Sequence, residues 1–407
     1  MQNLDLLEFV GENGINGRKL DNKKKIIRLL SKQKEPLTIP EIAIFIDVSI
    51  PICTSLIRDL GSDKLIKKQN KKTSENGRRP FTYSLSNSSF YVVGVEILSN
   101  FIQLGVFSVG LDSIHIATDR KFTLSKEIEC LDSITLFIES SLRDSGINKE
   151  NIIGIGIGMV GVGIDSKGEL SVNFGKELIS LKEHLESKVN LTVIIDNDTR
   201  TIGVAEQALG AAKGIGNVLV VKVSRTVGLS IIVDRHIVKG SYGVSGNINH
   251  IQFEKGKKLC NCGKVGCLGT EIGGNALLND LKSAISDGKI SMHFNKLELS
   301  NYQYHDILDA VLKGDELSIE LIQEQGYKLG KALGNIMNLL DPELVVIDGE
   351  YTMVKDFFTG AVRMGVIKTS FTGSVKRCKI KTSKLGRYLG AKAGACMLLK
   401  ASDMIDF

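Results

Sequence analysis

Only 5 of the 407 residues are proline, and no apolar run approaches the ~20 residues that a membrane-spanning helix needs. A spanning helix is therefore not expected. No secretory leader is recognisable at the start, so the 7 cysteines are expected to stay reduced in a cytoplasmic setting. With 42 glycines and 43% hydrophobic residues the chain can bury substantial cores. Its length exceeds one ordinary core, which predicts two or three domains.

Most of the chain also lacks an excess of either charge. Residues 1–88 hold 16 basic against 10 acidic residues, and the remainder balances at 36 against 36, so the formal charge of +6 sits wholly on the N-terminal segment. Local basicity alone means no more than a solvated face. Here it accompanies an ordered pattern. Asp21 to Ser31 places Ile26, Ile27 and Leu30 on one helical face. Thr38-Ile39-Pro40-Glu41 reads as a capping box with proline in the first turn, opening a short apolar helix through Ile46. Asp47-Val48 makes a tight connection and Ser49 a second N-cap, after which Cys53, Leu56, Ile57 and Leu60 recur at helical spacing. Two short helices joined by a short turn meet the needs of a helix-turn-helix.

On the second of these helices the apolar stripe leaves Ile52, Thr54, Ser55 and Arg58 facing outward, near the end that would enter a major groove. The three polar ones can reach base edges or phosphates. Lys67, Lys68, Lys71 and Lys72 follow, then Gly77-Arg78-Arg79-Pro80 and the alternating strand Phe81 to Leu85. A basic loop between two strands is a wing, placed where it could touch phosphate or the minor groove. The alternative is a small helical module that binds protein rather than DNA.

His250, Cys260, Cys262 and Cys267 form a compact set of soft metal ligands in HIQFEKGKKLCNCGKVGC. A structural zinc ion takes four sulfur or imidazole ligands in a tetrahedron, and the glycines of C-x-C-G-x-x-G-C bend the backbone so that three thiolates converge. A disulfide with a stray thiol is the alternative. Cys53, Cys130, Cys378 and Cys396 stand alone in apolar surroundings and read as buried small hydrophobes.

Beyond Ser89 the pattern turns to α/β. Tyr91 to Ile97, Phe101 to Val109 and Ile114 to Leu124 read as consecutive strands, Lys126 to Leu142 as a helix, and Ile152 to Met159 and Leu191 to Ile195 as buried strands. A second lobe repeats the style with Asn217 to Val223 and Leu229 to Val233. Glu343 to Ile347 follows between two long helical stretches, Ile319 to Leu340 and Leu385 to Ala401. The pattern implies a two-lobed α/β body with a cleft that binds a small molecule.

The winged helix-turn-helix ending in Gly77-Arg78-Arg79-Pro80, the entry strand Tyr91-Val92-Val93-Gly94-Val95, the pair Asn197-Asp198, the cysteine cluster ending Gly266-Cys267-Leu268 and Leu340-Asp341-Pro342-Glu343-Leu344 fall in one order. In that order the chain resembles the DNA-binding, transcriptional-regulator branch of the ROK family (repressor, open reading frame, kinase) over nearly its whole length. The resemblance implies an N-terminal winged helix-turn-helix, residues 1–88, followed by an actin-like, sugar-kinase-like (ribonuclease H-like) body. The body would comprise a first lobe at 89–198, with a C-terminal helix in 385–407 packing back on it, and a second lobe at 199–384 carrying the zinc site.

Kinases and repressors of the family share that body, so residues must separate them. Where the kinases carry Asp-x-Gly-Gly-Thr after the first strand, this chain has Glu96-Ile97-Leu98-Ser99-Asn100. Their second phosphate loop, Gly-Thr-Gly-Ile-Gly, is matched by Ser224-Arg225-Thr226-Val227-Gly228. Losing both sets of glycines removes the positioning on which phosphoryl transfer depends, so no enzyme is expected. On the sugar side, Asn197 and Asp198 match the family's sugar-binding pair, with Asp198 at the kinases' base position. Asp198 could equally cap the following helix. Gly246-Asn247-Ile248-Asn249-His250 keeps the histidine of Gly-Glu-Ile-Gly-His and replaces its glutamate with Asn247. A second expected glutamate is Gly269, with Glu271 two residues on.

The resemblance thus implies a homodimeric or higher homo-oligomeric repressor. It would bind operator DNA through Thr54, Ser55, Arg58, Lys67, Lys68, Lys71, Lys72, Arg78 and Arg79, and a sugar-like effector through Asn197, Asp198, Asn247 and His250. Effector binding would close the lobes and change the separation of the two heads. A sugar kinase with an appended DNA-binding head, and a regulator controlled by a protein partner, are the competing readings.

Overall fold

The computed structural model of the chain describes residues 15–33, 35–62, 65–71, 80–86, 90–161, 163–164, 170–175, 178–253, 256–386 and 388–402. The chain divides into two compact units, Met1–Ala208 with Arg387–Phe407, and Leu209–Gly386.

The first unit begins with helix α1 (Ile15–Lys32), strand β1 (Leu37–Thr38), helices α2 (Ile39–Ile46) and α3 (Ile50–Ser62), and strands β2 (Ile66–Lys71) and β3 (Phe81–Leu85). The strands form an antiparallel sheet in the order β1-β3-β2. Ile26, Ile27 and Leu30 of α1, Ile42, Ala43 and Ile46 of α2, and Cys53, Leu56, Ile57 and Leu60 of α3 are buried, as are Leu37, Leu65 and Ile66. Helix α1 starts six residues before the expected Asp21.

Next come β4 (Tyr91–Leu98), β5 (Phe101–Ser108), β6 (Ser113–Asp119), α4 (Ile128–Asp144) and β7 (Ile152–Met159). Two small ribbons follow, β8 (Gly163–Ile164) with β9 (Leu170–Ser171) and β10 (Asn173–Phe174) with β11 (Ile179–Ser180), then α5 (Leu181–Val189), β12 (Val193–Asn197) and α6 (Asp198–Leu209). The main sheet runs β12-β7-β4-β5-β6, with β12, β7 and β4 parallel and β4, β5 and β6 antiparallel. Strand β6 stops short of the expected Leu124 because the Asp119 carboxylate accepts the N–H of Lys121 at 2.8 Å, turning the chain. Strands β4 and β7 are buried throughout, as expected of strands covered on both faces. The C-terminal helix Leu389–Ala401 lies so close that a Cβ at Gly94 would stand 1.8 Å from the Ala391 carbonyl oxygen, and one at Gly156 2.0 Å from that of Gly394.

The second unit repeats the plan. Strands β13 (Val218–Val223), β14 (Val227–Val233) and β15 (His236–Ile237) form an antiparallel set. Helices α7 (Gly274–Ser286), α8 (Tyr304–Leu312) and α9 (Glu316–Leu340) lead to β16 (Leu344–Asp348), α10 (Lys355–Thr369), α11 (Thr372–Arg377) and β17 (Lys379–Thr382); the last described helix, α12 (Leu389–Ala401), belongs to the first unit. The sheet order is β15-β14-β13-β16-β17, with β16 and β17 parallel to β13. A hairpin followed by parallel strands in each unit is the doubled α/β arrangement read from the strand pattern. Each unit has its own apolar core, around Val93, Ile97, Ile134 and Ile157 in the first and around Val221, Leu277, Leu329 and Ile347 in the second.

Candidate functional site

Helices α2 and α3 bend through 107° across the short turn at Asp47, within the range of helix-turn-helix pairs. Local chemistry sets both ends of α2. The Thr38 hydroxyl accepts the Glu41 N–H at 3.4 Å, and the Glu41 carboxylate accepts the Thr38 N–H at 2.7 Å, closing the capping box. Asp47 ends α2 in the left-handed region with φ +55°. With the inner face of α3 buried, Ile52, Ser55 and Arg58 are exposed and Thr54 half-buried. The Thr54 hydroxyl donates to the Ile50 carbonyl at 2.8 Å.

Strand β2 sets Lys67 and Lys68 in solvent beside this helix. The Lys68 ammonium sits 3.5 Å above the centre of the Phe81 ring across the ribbon, a cation–π contact that aims it. The sequence marks Phe81 only as the start of a strand; its contact with Lys68 depends on how β2 and β3 pair. A groove of about 370 Å³ between helix and ribbon is lined by Thr54, Arg58, Gly61, Lys68 and Tyr83. The side chain of Lys71, together with Lys72, Arg78 and Arg79, lies outside the described residues.

The cysteine cluster is built on a small hairpin. Leu259 pairs with Val265 and Gln252 with Cys267, and the turn closes through Cys260 N–H to Lys264 O at 2.8 Å and Gly263 N–H to Cys260 O at 2.9 Å. Gly263 and Gly266 carry φ of +86° and +82°, which only glycine adopts readily. His250 enters from a 3₁₀ turn at Ile248–His250. Its Nδ1 lies 3.7 Å from Cys260 Sγ, Cys262 Sγ lies 3.6 Å from Cys267 Sγ, and the four ligand atoms all fall within 4.8 Å of one another. A tetrahedron of thiolates about one zinc ion has edges of roughly 3.7 Å, given Zn–S bonds of about 2.3 Å. The donor set therefore fits a metal ion, and the sulfur separation is far beyond the ~2 Å of a disulfide. The Lys264 N–H beside Cys262 lowers that thiol below its ordinary range, while burial pushes Cys267 up to about 11. A cation among them would hold both as thiolates.

At the end of β12 the residues matching the sugar pair form a tight polar knot. Asn197, not Asp198, caps α6. Its side-chain oxygen accepts the N–H groups of Thr199 at 3.0 Å and Arg200 at 3.2 Å, and its amide donates to Asp198 Oδ1 at 3.1 Å. Asp198 is the buried first residue of the helix. Asn247 and His250 are exposed residues of the second unit. Glu271 is buried there, its carboxylate 3.1 Å from the Lys328 ammonium and 3.9 Å from that of Lys258. Gly269 has no room to spare, because a Cβ there would meet that of Asn249 at 3.0 Å.

Glu96 and the Ser224-Arg225 run each meet the start of a helix. Glu96 is buried, with its carboxylate against Gly390 in the first turn of α12, where the helix dipole favours an anion. In the second unit the N–H groups of Gly274 and Asn275, at the start of α7, donate to the carbonyls of Ser224 at 2.8 Å and Arg225 at 3.1 Å. The Arg225 guanidinium in turn donates to the Asn275 side chain at 3.0 Å.

The ROK family model matches residues 93–402, the body that follows the head. The chain belongs to the ROK family. It is 24% identical over 417 residues to a xylose repressor of Caldicellulosiruptor bescii, a match spanning 100% of this chain and 99% of the relative. Among solved structures, a ROK family transcriptional regulator homologous to the Escherichia coli MLC protein is similar at a TM-score of 0.79 and 20% identity, over 95% of this chain and 97% of that one. A ROK family glucokinase from Streptomyces griseus, solved with glucose and AMPPNP, is similar at 0.62 and 22% identity, over 75% of this chain and 98% of that one. The ROK body thus has the sugar-kinase fold, and this chain adds the winged head before it. Among the described residues no single helix is long and apolar enough to cross a membrane.

Proposed function

We propose that this ROK protein is a cytoplasmic transcriptional repressor that binds operator DNA through its winged head and is released by a sugar or related metabolite. The observation that carries the reading is the head itself: a 107° helix pair whose second helix exposes Ser55 and Arg58 beside the exposed Lys67 and Lys68 of a β-ribbon. Such a surface suits a negatively charged duplex. Thr54, Ser55, Arg58, Lys67, Lys68, Lys71, Lys72, Arg78 and Arg79 are the proposed DNA contacts, and two heads in a homodimer would engage paired half-sites. The name of the xylose repressor relative supports repression and a sugar signal.

Asn197, Asp198, Asn247 and His250 are the proposed effector contacts. Zinc is the proposed metal, because a set of one imidazole and three thiolates suits zinc best among common ions. Its role would be structural: held by His250, Cys260, Cys262 and Cys267, it would tie the hairpin to the turn carrying Asn247 and orient His250. Phosphoryl transfer is not proposed. Helix-terminal donors that could hold a phosphate are taken by the carbonyls of Ser224 and Arg225, and Leu98 stands where a phosphate loop would need glycine. The likeness to the glucokinase fold keeps sugar kinase activity as the second reading.

A thermal-shift panel of sugars, amino sugars and their phosphates, with and without ATP and magnesium, separates the two. Stabilisation by one sugar with no nucleotide effect supports the repressor. Stabilisation by ATP, followed by phosphate transfer to that sugar, sinks it in favour of the kinase.

A further inference from the structure

The first two turns of α3 carry no side chain able to make the two-pronged base contacts typical of arginine, lysine, asparagine and glutamine. From Val48 to Ile57 the chain reads VSIPICTSLI, and Arg58 is the first charged residue after Asp47. At its first turn the helix offers apolar side chains to solvent, and Ser55 in the second turn is the one exposed polar side chain before Arg58. Ile50 is 54% and Ile52 50% exposed, with exposed Pro51 between them. The Thr54 hydroxyl spends its proton on the Ile50 carbonyl. An exposed apolar tip in front of the cations Arg58, Lys67 and Lys68 needs a partner that is anionic overall yet apolar at the point of contact.

The major groove supplies that combination at one base only. Thymine presents a C5-methyl group, whereas guanine and cytosine present acceptors and a donor that an isoleucine would leave unsatisfied. Resting on the DNA-binding reading above, we propose that Ile50 and Ile52 read thymine methyl groups, so that the operator half-site is specified by its thymines rather than by guanine contacts. Phosphates held by Arg58, Lys67 and Lys68 would set the register, and the isoleucines would supply the discrimination.

The test uses the full chain and duplexes it recovers from a random-sequence pool. Each thymine of a recovered half-site is replaced in turn by deoxyuridine, which deletes the methyl and keeps the pairing. Binding is followed by fluorescence anisotropy at fixed salt, for the parent protein and for Ile50→Ala and Ile52→Ala. At a contacted position the parent should lose about fourfold in affinity per methyl removed. In the corresponding alanine protein the same replacement should have no effect.

Uracil-bearing duplexes that bind the parent as tightly as thymine ones would overturn the proposal, and would turn the apolar tip into a docking face for protein. A uracil effect of equal size in the parent and both alanine proteins would assign the methyl dependence to duplex shape and also overturn it. Recovery of no duplex at all would sink the DNA-binding reading itself, and this inference with it.

Discussion

Asp196, at the end of β12, and Arg200, in the first turn of α6, form a buried ion pair, with the guanidinium Nε and Nη2 each 2.6 Å from the same carboxylate oxygen. The Asp196 carboxylate also accepts the Asn197 N–H at 2.6 Å. The pair therefore fixes the turn on which Asn197 and Asp198 stand.

Replacing Arg200 with Met removes the guanidinium that pairs with the buried Asp196 carboxylate and should destabilise the first unit by about 3–5 kcal/mol. Urea denaturation would read this as a lower midpoint. A loss below about 1 kcal/mol would mean that the site relaxes to admit water, and that the pair does not hold the Asn197 turn.

Glycine spacing on α9 yields a prediction of sign. In an open helix Gly→Ala stabilises by about 1 kcal/mol. At Gly330 a Cβ would lie 2.0 Å from the Val362 carbonyl of α10, and at Gly365 2.2 Å from that of Tyr327. Gly330→Ala should therefore destabilise by roughly 1–3 kcal/mol. Gly360→Ala, at a position on α10 with nothing within 4 Å, should stabilise. Equal effects of the two substitutions in thermal melts would refute the packing argument.

Cys260→Ser combined with Cys262→Ser should release the metal and lower the melting temperature, because the free energy of metal binding at such a site is folding free energy. A chelator should do the same to the parent protein and nothing further to the double variant. Retention of one metal ion per chain by the variant, measured by elemental analysis, would rule out this ligand set.

Acid should act on the second unit through Asp315. Burial raises its carboxyl pKa, but hydrogen bonds from the Ser318 and Ser291 hydroxyls and the Ser318 and Met292 N–H groups outweigh this and hold it below the ordinary carboxylate value. A depressed folded-state pKa stabilises the protein above the unfolded value, about 3.9, and that contribution disappears as pH falls through the folded value. Asp315→Asn should lower stability near neutral pH by about 1–3 kcal/mol, because its single acceptor oxygen can serve only one of the two donor pairs, Ser318 Oγ and N–H or Ser291 Oγ and Met292 N–H. It should also flatten the stability profile below about pH 4. Parallel profiles for the two proteins would contradict the assignment.

On the head, Arg58→Ala and Lys68→Ala should each weaken DNA binding across sequences and reduce the salt slope by about 1. Phe81→Leu should weaken binding less, since it keeps the Lys68 charge and removes only the ring that aims it. A Phe81→Leu protein that binds less tightly than Lys68→Ala would point instead to a damaged ribbon.

Short-range order was legible in the residues. The Thr38–Glu41 box, the buried face of α3 and the Cys260-x-Cys262 turn each involve partners within a few positions, and backbone geometry brings such partners together in nearly any fold. The identity of the α6 cap was not legible, because Asn197 and Asp198 are both good caps. The choice follows from where β12 ends against β7, whose Met159 pairs with Asn197. Nor could Glu271 be placed, since its cations come from Lys258 on one side of the sequence and Lys328 on the other.

A basic helix-turn-helix head, an α/β body in two parts and a four-ligand metal motif are all readable from the order of residues, because each has a period or spacing that local stereochemistry enforces. The folded chain was needed to see that Gly94 and Gly156 admit the backbone of α12, and that Gly330 and Gly365 let α9 approach α10. It alone placed the Glu96 carboxylate against the start of α12, and the Ser224 and Arg225 carbonyls on the first N–H groups of α7. Each of these depends on a second element far along the chain, and no periodicity in one segment encodes the distance of closest approach to another.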